Sequence, residues 1–345
     1  MDTCHLLFCR PGFEGDLASE IMHHMTEDQS AGYCKTLKDQ GLVLSYSDEQ
    51  FKPQLDSLIF ARQLYNKVQH LQNLPEDDRI SPIIEALNGV LDEKEYRDIV
   101  LESPDTNDGK ALSRFLKKFI HPLAKTLKQE GFSQVRDRSA PYIHVCFTSY
   151  EEAYLGLNYG NNRSPHPGGI HRLKFPKDGP SRSTLKLEEA FLDLVPASER
   201  KKIEAGEGLV AVDLGAAPGG WTYQLVKRKI FTYAVDNGPM AESLMESGLV
   251  EHCREDAYKF RPRGHVDILV CDMVDKPSLV TELIKRWLEN RYCDMAVFNL
   301  KLPMKKRQQE VMTCLRSLSE VGQVEIRAKQ LYHDREEITV MVRLL

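Results

Sequence analysis

Residues 208–221 limit the possible folds more than any other stretch of this chain. Gly208-Leu209-Val210-Ala211-Val212 is a short apolar run. It leads into Asp213-Leu214-Gly215-Ala216-Ala217-Pro218-Gly219-Gly220-Trp221. Small residues at such a place let backbone approach a ligand where a strand turns into a helix. The spacing is Gly-x-x-x-Gly-Gly with a proline inside. It is neither the dinucleotide Gly-x-Gly-x-x-Gly nor a triphosphate loop ending in Lys-Ser/Thr.

The pattern around this turn is regular. A helix is expected over 186–194, then a buried strand over 208–212 and a helix from Trp221. Strands follow at 230–235, 266–271 and 294–300, with a helix over about 277–290 before the last of them. Short apolar strands alternating with helices specify a parallel sheet covered on both faces. The end of the chain differs. Strands at about 321–331 and 336–342 have only a short turn between them, which pairs them antiparallel.

The first half reads as α+β. Strands are expected at 5–9, 41–46 and 142–147, with a helix over about 13–25. At 345 residues the chain has room for two domains. The expected boundaries are 1–155 for the first, 156–182 for an extended basic linker and 183–345 for the second. The linker is rich in Gly, Pro and Asn and carries Arg163, His166, His171, Arg172, Lys174 and Lys177 against Asp178. That bias suits a track along phosphates, with a solvated tether as the competing reading.

Residues 110–128 would form a two-faced helix. Lys110, Arg114, Lys117, Lys118, His121, Lys125 and Lys128 fall on one side, and Leu112, Phe115, Leu116, Phe119, Ile120, Leu123 and Leu127 on the other. The basic stripe has no interspersed acid, which favours an RNA contact over a merely solvated face. Pro122 is expected to kink or break the helix. The chain's net charge of −5 weighs weakly against a nucleic-acid partner, because local concentration of basic residues matters more than the sum.

Two acids accompany the glycine turn. Asp236 ends the second strand, roughly twenty residues on, where a carboxylate accepts from adenosine ribose hydroxyls. Asp256 lies before the next strand and would reach the adenine amine. The eight cysteines are scattered without a Cys-x-x-Cys pair, so neither a zinc site nor a redox motif is expected. No apolar run is long enough to span a bilayer, and residues 1–5 lack the start of a signal peptide; a cytoplasmic protein is expected.

Residues 213–221 resemble the first motif of the FtsJ/RrmJ-like 2′-O-ribose methyltransferases. The likeness continues through 175–176, 181–190, 235–240, 298–307 and 330–337, and in the first half through 9–14 and 57–63. These stretches are similar to the branch of the family that methylates a cytidine of 23S rRNA. The resemblance implies an α/β fold: a Rossmann-like, seven-stranded S-adenosylmethionine methyltransferase domain with an antiparallel last strand. It also implies an N-terminal, THUMP-containing α+β RNA-binding region. The implied partner is 23S rRNA, naked or in a precursor particle, in its peptidyl-transferase region. A monomer is expected, with no metal and no membrane.

The cofactor contacts implied fall on Ser183, Ala217, Pro218, Gly219, Gly220, Asp236, Asp256 and Asp272. Many relatives carry Cys where this chain has Ala217; a contact made there by backbone survives the change. The family's Lys-Asp-Lys-Glu set maps onto Lys186, Asp272, Lys301 and Glu336, with Glu336 preferred over Glu337 because Arg335-Glu336 matches an Arg-Glu pair. Lys301 is the expected general base, since a ribose hydroxyl is a poor acid and must lose its proton during attack. Asp272 would orient Lys301 near the sulfonium, and Glu336 would hold Lys186 or the ribose. Lys305 and Lys306, beside the base, would hold phosphates. A non-catalytic RNA-binding or ribosome-assembly factor on the same fold is the rival reading. Base methylation fits less well, because Asp272 is followed by Met273-Val274-Asp275 and not by a Pro-Pro-aromatic loop.

Overall fold

The apolar runs pair into two sheets of seven strands each, and a two-stranded ribbon accompanies the first. The computed structural model describes residues 3–345. The chain divides into two compact units at Ile170/His171.

In the first unit the strand order is Gly32–Leu37, Leu42–Ser47, Thr3–Phe8, Gln63–Leu71, Ala153–Asn158, Tyr142–Phe147 and Asp98–Glu102. All neighbours are antiparallel except the last pair. The helices Ile80–Val90 and Asn107–Gln129 bury Ile83, Leu87, Leu112, Leu116, Phe119, Leu123 and Leu127 against Ile143, Val145, Phe147 and Leu155. Thr106 caps the long helix by accepting from the Gly109 amide at 3.0 Å. That helix runs unbroken through Pro122, where a break is one of the two expected outcomes. Pro122 is exposed, so the hydrogen bond it forfeits lies on the solvent side, while buried Phe119 and Leu123 hold both flanks. The basic residues Lys110, Arg114, Lys117, Lys118, Lys125 and Lys128 are exposed, and so is His121.

Glu102 ends its strand fully buried. Its carboxylate accepts from the Tyr65 hydroxyl, from Gln63 Nε2 at 3.2 Å and from the Gly168 amide at 2.6 Å, and it meets His144 Nδ1 at 3.1 Å. Burial pushes this carboxyl up, but the contacts with His144 and Tyr65 and the Gly168 amide outweigh it and hold the group below its usual range.

The Glu102 contact corrects the linker reading. Strand Ala153–Asn158 runs past the expected boundary, and the residues after it are stitched to the first unit. The Asn162 amide bonds to the backbone of Pro53 and Leu55, the Ser164 amide donates to Gln63, and Gly169 packs on Arg62. Arg163 is not an open cation either. Its guanidinium lies 3.5 Å from the Tyr142 ring centroid and donates to the Ser164 carbonyl. Lys174 is exposed.

In the second unit we label the elements α1 (Thr184–Asp193), α2 (Ala197–Ala205), β1 (Val210–Leu214), α3 (Gly220–Lys227), β2 (Phe231–Val235), α4 (Glu242–Met245), β3 (Val250–Cys253), β4 (Val266–Cys271), α5 (Pro277–Glu289), β5 (Cys293–Lys301), α6 (Arg307–Ser319), β6 (Val324–Lys329) and β7 (Glu337–Leu344). The sheet order is β3-β2-β1-β4-β5-β7-β6. Strands β1 to β5 are parallel, and β7 runs antiparallel to both β5 and β6. This is the expected α/β methyltransferase sheet with a reversed last strand. Because β7 is reversed, its start lies at the same edge as the ends of β1, β2, β4 and β5, where parallel sheets bind ligands.

Candidate active site

The glycine turn joins β1 to α3. Gly219 has φ 113°, and a side chain there would collide with Leu244 and Met240. Gly215 has φ 76° and lies against Met273. A Cβ on Gly220 would strike the hydroxyls of Ser181 and Ser183, which bond to each other at 2.7 Å. The starts of α1 and α3 therefore touch through an absent side chain, which places Ser183 beside the turn. Asp236 accepts from the Ala217 amide at 3.1 Å and the Gly238 amide at 2.7 Å. Each oxygen keeps a second lone-pair direction for a ligand hydroxyl. Asp256 is exposed and accepts from the Tyr258 amide at 2.9 Å. Beneath the turn, Asp213 is buried and accepts from the Thr222 hydroxyl at 2.6 Å, and burial pushes its carboxyl up to about 7.

These features fit a nucleoside cofactor. The turn carries only Gly, Ala and Pro, which suits close backbone approach, and half-exposed Asp236 is held with acceptor capacity to spare.

The charged centre lies at the same edge. Lys186 of α1 meets both oxygens of Asp272, at 3.1 and 3.3 Å, and Glu337 Oε1 at 2.5 Å. Burial works to lower the Lys186 pKa, but the two carboxylates win and hold it above its usual value. Lys186 is thus a fixed cation and not a proton acceptor. Burial raises Asp272, with Lys186 opposing.

The glutamate that meets Lys186 is Glu337 and not the expected Glu336. Glu336 is exposed and pairs with Arg307 at 2.7 Å. Neighbouring strand residues face opposite sides, and the register sets Glu337 opposite Lys301. Glu336 instead lends its carbonyl to the Leu302 amide.

Lys301 ends β5 exposed, directly across from Glu337 and on the same sheet face. The expected contact between Asp272 and Lys301 is not formed. Asp272 bonds instead to Lys186 and to the amide of Asn299 at 2.8 Å. Sequence reasoning misses Asn299, although a buried polar residue in an otherwise apolar strand, two before Lys301, is the available signal. Past Lys301 the loop 303–306 is exposed, with Met304 at 93% and Lys305 and Lys306 open to solvent.

Among the described residues no helix is long and apolar enough to cross a membrane, and no group of three or more His, Cys, Asp or Glu is placed to hold a metal ion.

Comparison with known families places three matches along the chain. Residues 1–65 match the RlmM ferredoxin-like domain, residues 78–159 the N-terminal domain of ribosomal RNA large subunit methyltransferase M, and residues 180–332 the FtsJ-like methyltransferases. Proteins named ribosomal RNA large subunit methyltransferase M are similar over nearly their full length. The one from Shewanella woodyi is 47% identical, covering 98% of each chain. That from Aggregatibacter aphrophilus is 46% identical over 98% of this chain and 99% of its own. The Pectobacterium carotovorum protein is 48% identical over 98% and 95%.

Proposed function

This chain belongs to the ribosomal RNA large subunit methyltransferase M family, and from that premise we propose that it methylates the 2′-hydroxyl of a cytidine ribose in 23S rRNA. It is an S-adenosylmethionine-dependent methyltransferase of large-subunit rRNA. One observation supports the ribose reading best. Lys186, Asp272 and Glu337 converge beside the glycine turn, with Lys301 across from Glu337.

S-adenosylmethionine, held by the turn at 217–220 with Ser183, Asp236 and Asp256, supplies an electrophilic methyl on a sulfonium. Lys301 accepts the proton of the attacking hydroxyl as general base. Lys186 stays charged between its two carboxylates and fixes the edge on which the ribose sits. Asp272 would offer negative charge to the cationic cofactor. Glu337 holds Lys186.

The test is transfer of labelled methyl to deproteinised 23S rRNA from cells lacking the enzyme, followed by mapping of the ribose mark. A mark on a cytidine 2′-oxygen is expected; a mark on a base nitrogen or carbon, or none, overturns the reading. Glu337→Gln should lower kcat by about 10–100-fold, the value of one charge-assisted hydrogen bond. Glu336→Gln should stay within about twofold, because its pair with Arg307 is exposed. The reverse order in a turnover assay would restore Glu336 to the site.

The stripe Lys110, Arg114, Lys117, Lys118 and Lys125, with Arg172, Lys174, Lys305 and Lys306, is proposed to hold rRNA phosphates. Lys117→Glu with Lys118→Glu should weaken RNA binding and flatten its salt dependence, by roughly 0.7 in log–log slope for each phosphate that is no longer neutralised. An unchanged slope in filter binding would remove this face from the interface. The enzyme is proposed to act as a cytoplasmic monomer on naked rRNA or a precursor particle.

A further inference from the structure

Asp272 is steadied by more than Lys186. Behind it runs a buried chain of polar groups that the family's charged set does not include. Asn299 Nδ2 donates to Asp272 Oδ1 at 2.8 Å, and Asn299 Oδ1 lies 2.7 Å from the Thr339 hydroxyl. That hydroxyl also lies 3.2 and 3.0 Å from the two oxygens of Asp334. Asn299 is 1% exposed, and Thr339 and Asp334 are fully buried. Asn299 and Thr339 are direct partners across β5 and β7, so the pairing that sets Glu337 opposite Lys301 also builds this chain.

Counting protons fixes its polarity. Lys186 binds both oxygens of Asp272 and keeps it a carboxylate, so Asn299 must turn its NH2 toward it. The Asn299 carbonyl then faces Thr339 and takes the single hydroxyl proton. Thr339 has nothing left to give Asp334, so their contact is attractive only if Asp334 donates.

We propose that Asp334 is held in its protonated form and acts as a positioning residue: through Thr339 it locks the Asn299 amide so that a donor always faces Asp272. The role rests on the methyl-transfer reading given above. The geometry has independent support, since burial and the Glu337 carboxylate hold Asp334 far above the usual carboxylate range, with the Leu331 amide and Lys186 opposing. Charged groups close to this chain include Lys186 and Glu189 of α1, Asp213 of β1 and Glu337 of β7. A flipped Asn299 would set a carbonyl against the Asp272 carboxylate and push that group toward protonation.

The test compares wild type, Thr339→Val, Thr339→Ser and Asp334→Asn as full chains. Single-turnover methyl transfer is read across pH, and infrared spectra are recorded for wild type and Asp334→Asn. Thr339→Val should lose about tenfold or more in rate, with the acid limb of the profile moved to higher pH. Thr339→Ser, which keeps the hydroxyl, should restore both. Asp334→Asn keeps a neutral donor and should stay within about twofold, with the acid limb in place. The wild-type spectrum should carry a buried protonated-carboxyl stretch that this variant lacks. An Asp334→Asn enzyme as impaired as Thr339→Val would overturn the proposal, because it would show that Asp334 works as an anion. So would a spectrum without that stretch, or a Thr339→Val enzyme that loses thermal stability but keeps its acid limb. If wild type itself transfers no methyl to ribose, the function reading fails, and the infrared comparison still decides the state of Asp334.

Discussion

Lys301→Ala is expected to lower the rate of methyl transfer by about 10²–10⁴-fold, the range a positioned general base supplies, while leaving cofactor affinity close to wild type. The split follows from where the residue sits. Lys301 closes β5 at the solvent edge, across from Glu337, and takes no part in the glycine turn or the Asp236 loop that would bind the nucleoside. Lys186 cannot stand in as a base, because two carboxylates at 3.1 and 2.5 Å keep it charged. Single-turnover transfer of labelled methyl measures the loss, and calorimetric titration with S-adenosylmethionine measures the affinity. Turnover near wild type would remove Lys301 from the chemistry. An equal collapse of cofactor binding would make it a ligand contact instead.

Glu102→Ala should cost the first unit about 3–5 kcal/mol, the range found when one partner of a buried charged pair is removed. Three donors, on Tyr65, Gln63 and Gly168, together with the ring of His144, lose a shared acceptor in a site that water does not reach. For a unit of this size the loss corresponds to roughly 6–20 °C in melting temperature. Glu102→Gln should fall between the two, because its carbonyl still accepts but its amide adds a donor among donors. The sign of the pH dependence follows from the lowered carboxyl pKa in the fold. This stabilisation is fully present above the unfolded-state pKa of a glutamate. It fades as pH drops through the lower folded value. Calorimetric melts of wild type and Glu102→Ala, followed from neutral pH down to below the usual carboxylate range, should therefore converge only at the acid end. A difference that stays constant, or one below about 1 kcal/mol, would mean the network is idle.

Legibility in the sequence tracks how each strand is covered. β1, β4 and β5 are buried on both faces over most of their length, so each reads as a mainly apolar run, and the glycine turn announces itself by composition. The strand Gln63–Leu71 is hidden because its apolar pattern is broken at a bulge, where Lys67 takes φ 51° and the pairing register shifts. Asp98–Glu102 is short and mostly half-buried, which gives no alternation to read. The linker misleads because turn-forming residues also make well-anchored irregular chain. Ser164 and Gly168 owe their place to Gln63 and Glu102, 101 and 66 residues away. In the site, parity decides which side chain meets which. Two adjacent glutamates at the start of a strand are alike in one dimension, and only the pairing of β7 with β5 separates them. Asn299, Thr339 and Asp334 escape notice for the same reason, since each is ordinary alone and their connection exists only across strands.

The reversal of β7 ties three different jobs to one alignment. Sliding this strand by a single residue against β5 would swing Glu336 inward, turn Thr339 away from Asn299 and put Glu337 in solvent, all at once. Extra residues in the turn at 330–336 leave that parity untouched if Asp334 keeps its seat, whereas a deletion of one residue inside Glu337–Leu344 inverts it. The catalytic edge should therefore tolerate a lengthened hairpin tip far better than a shortened final strand.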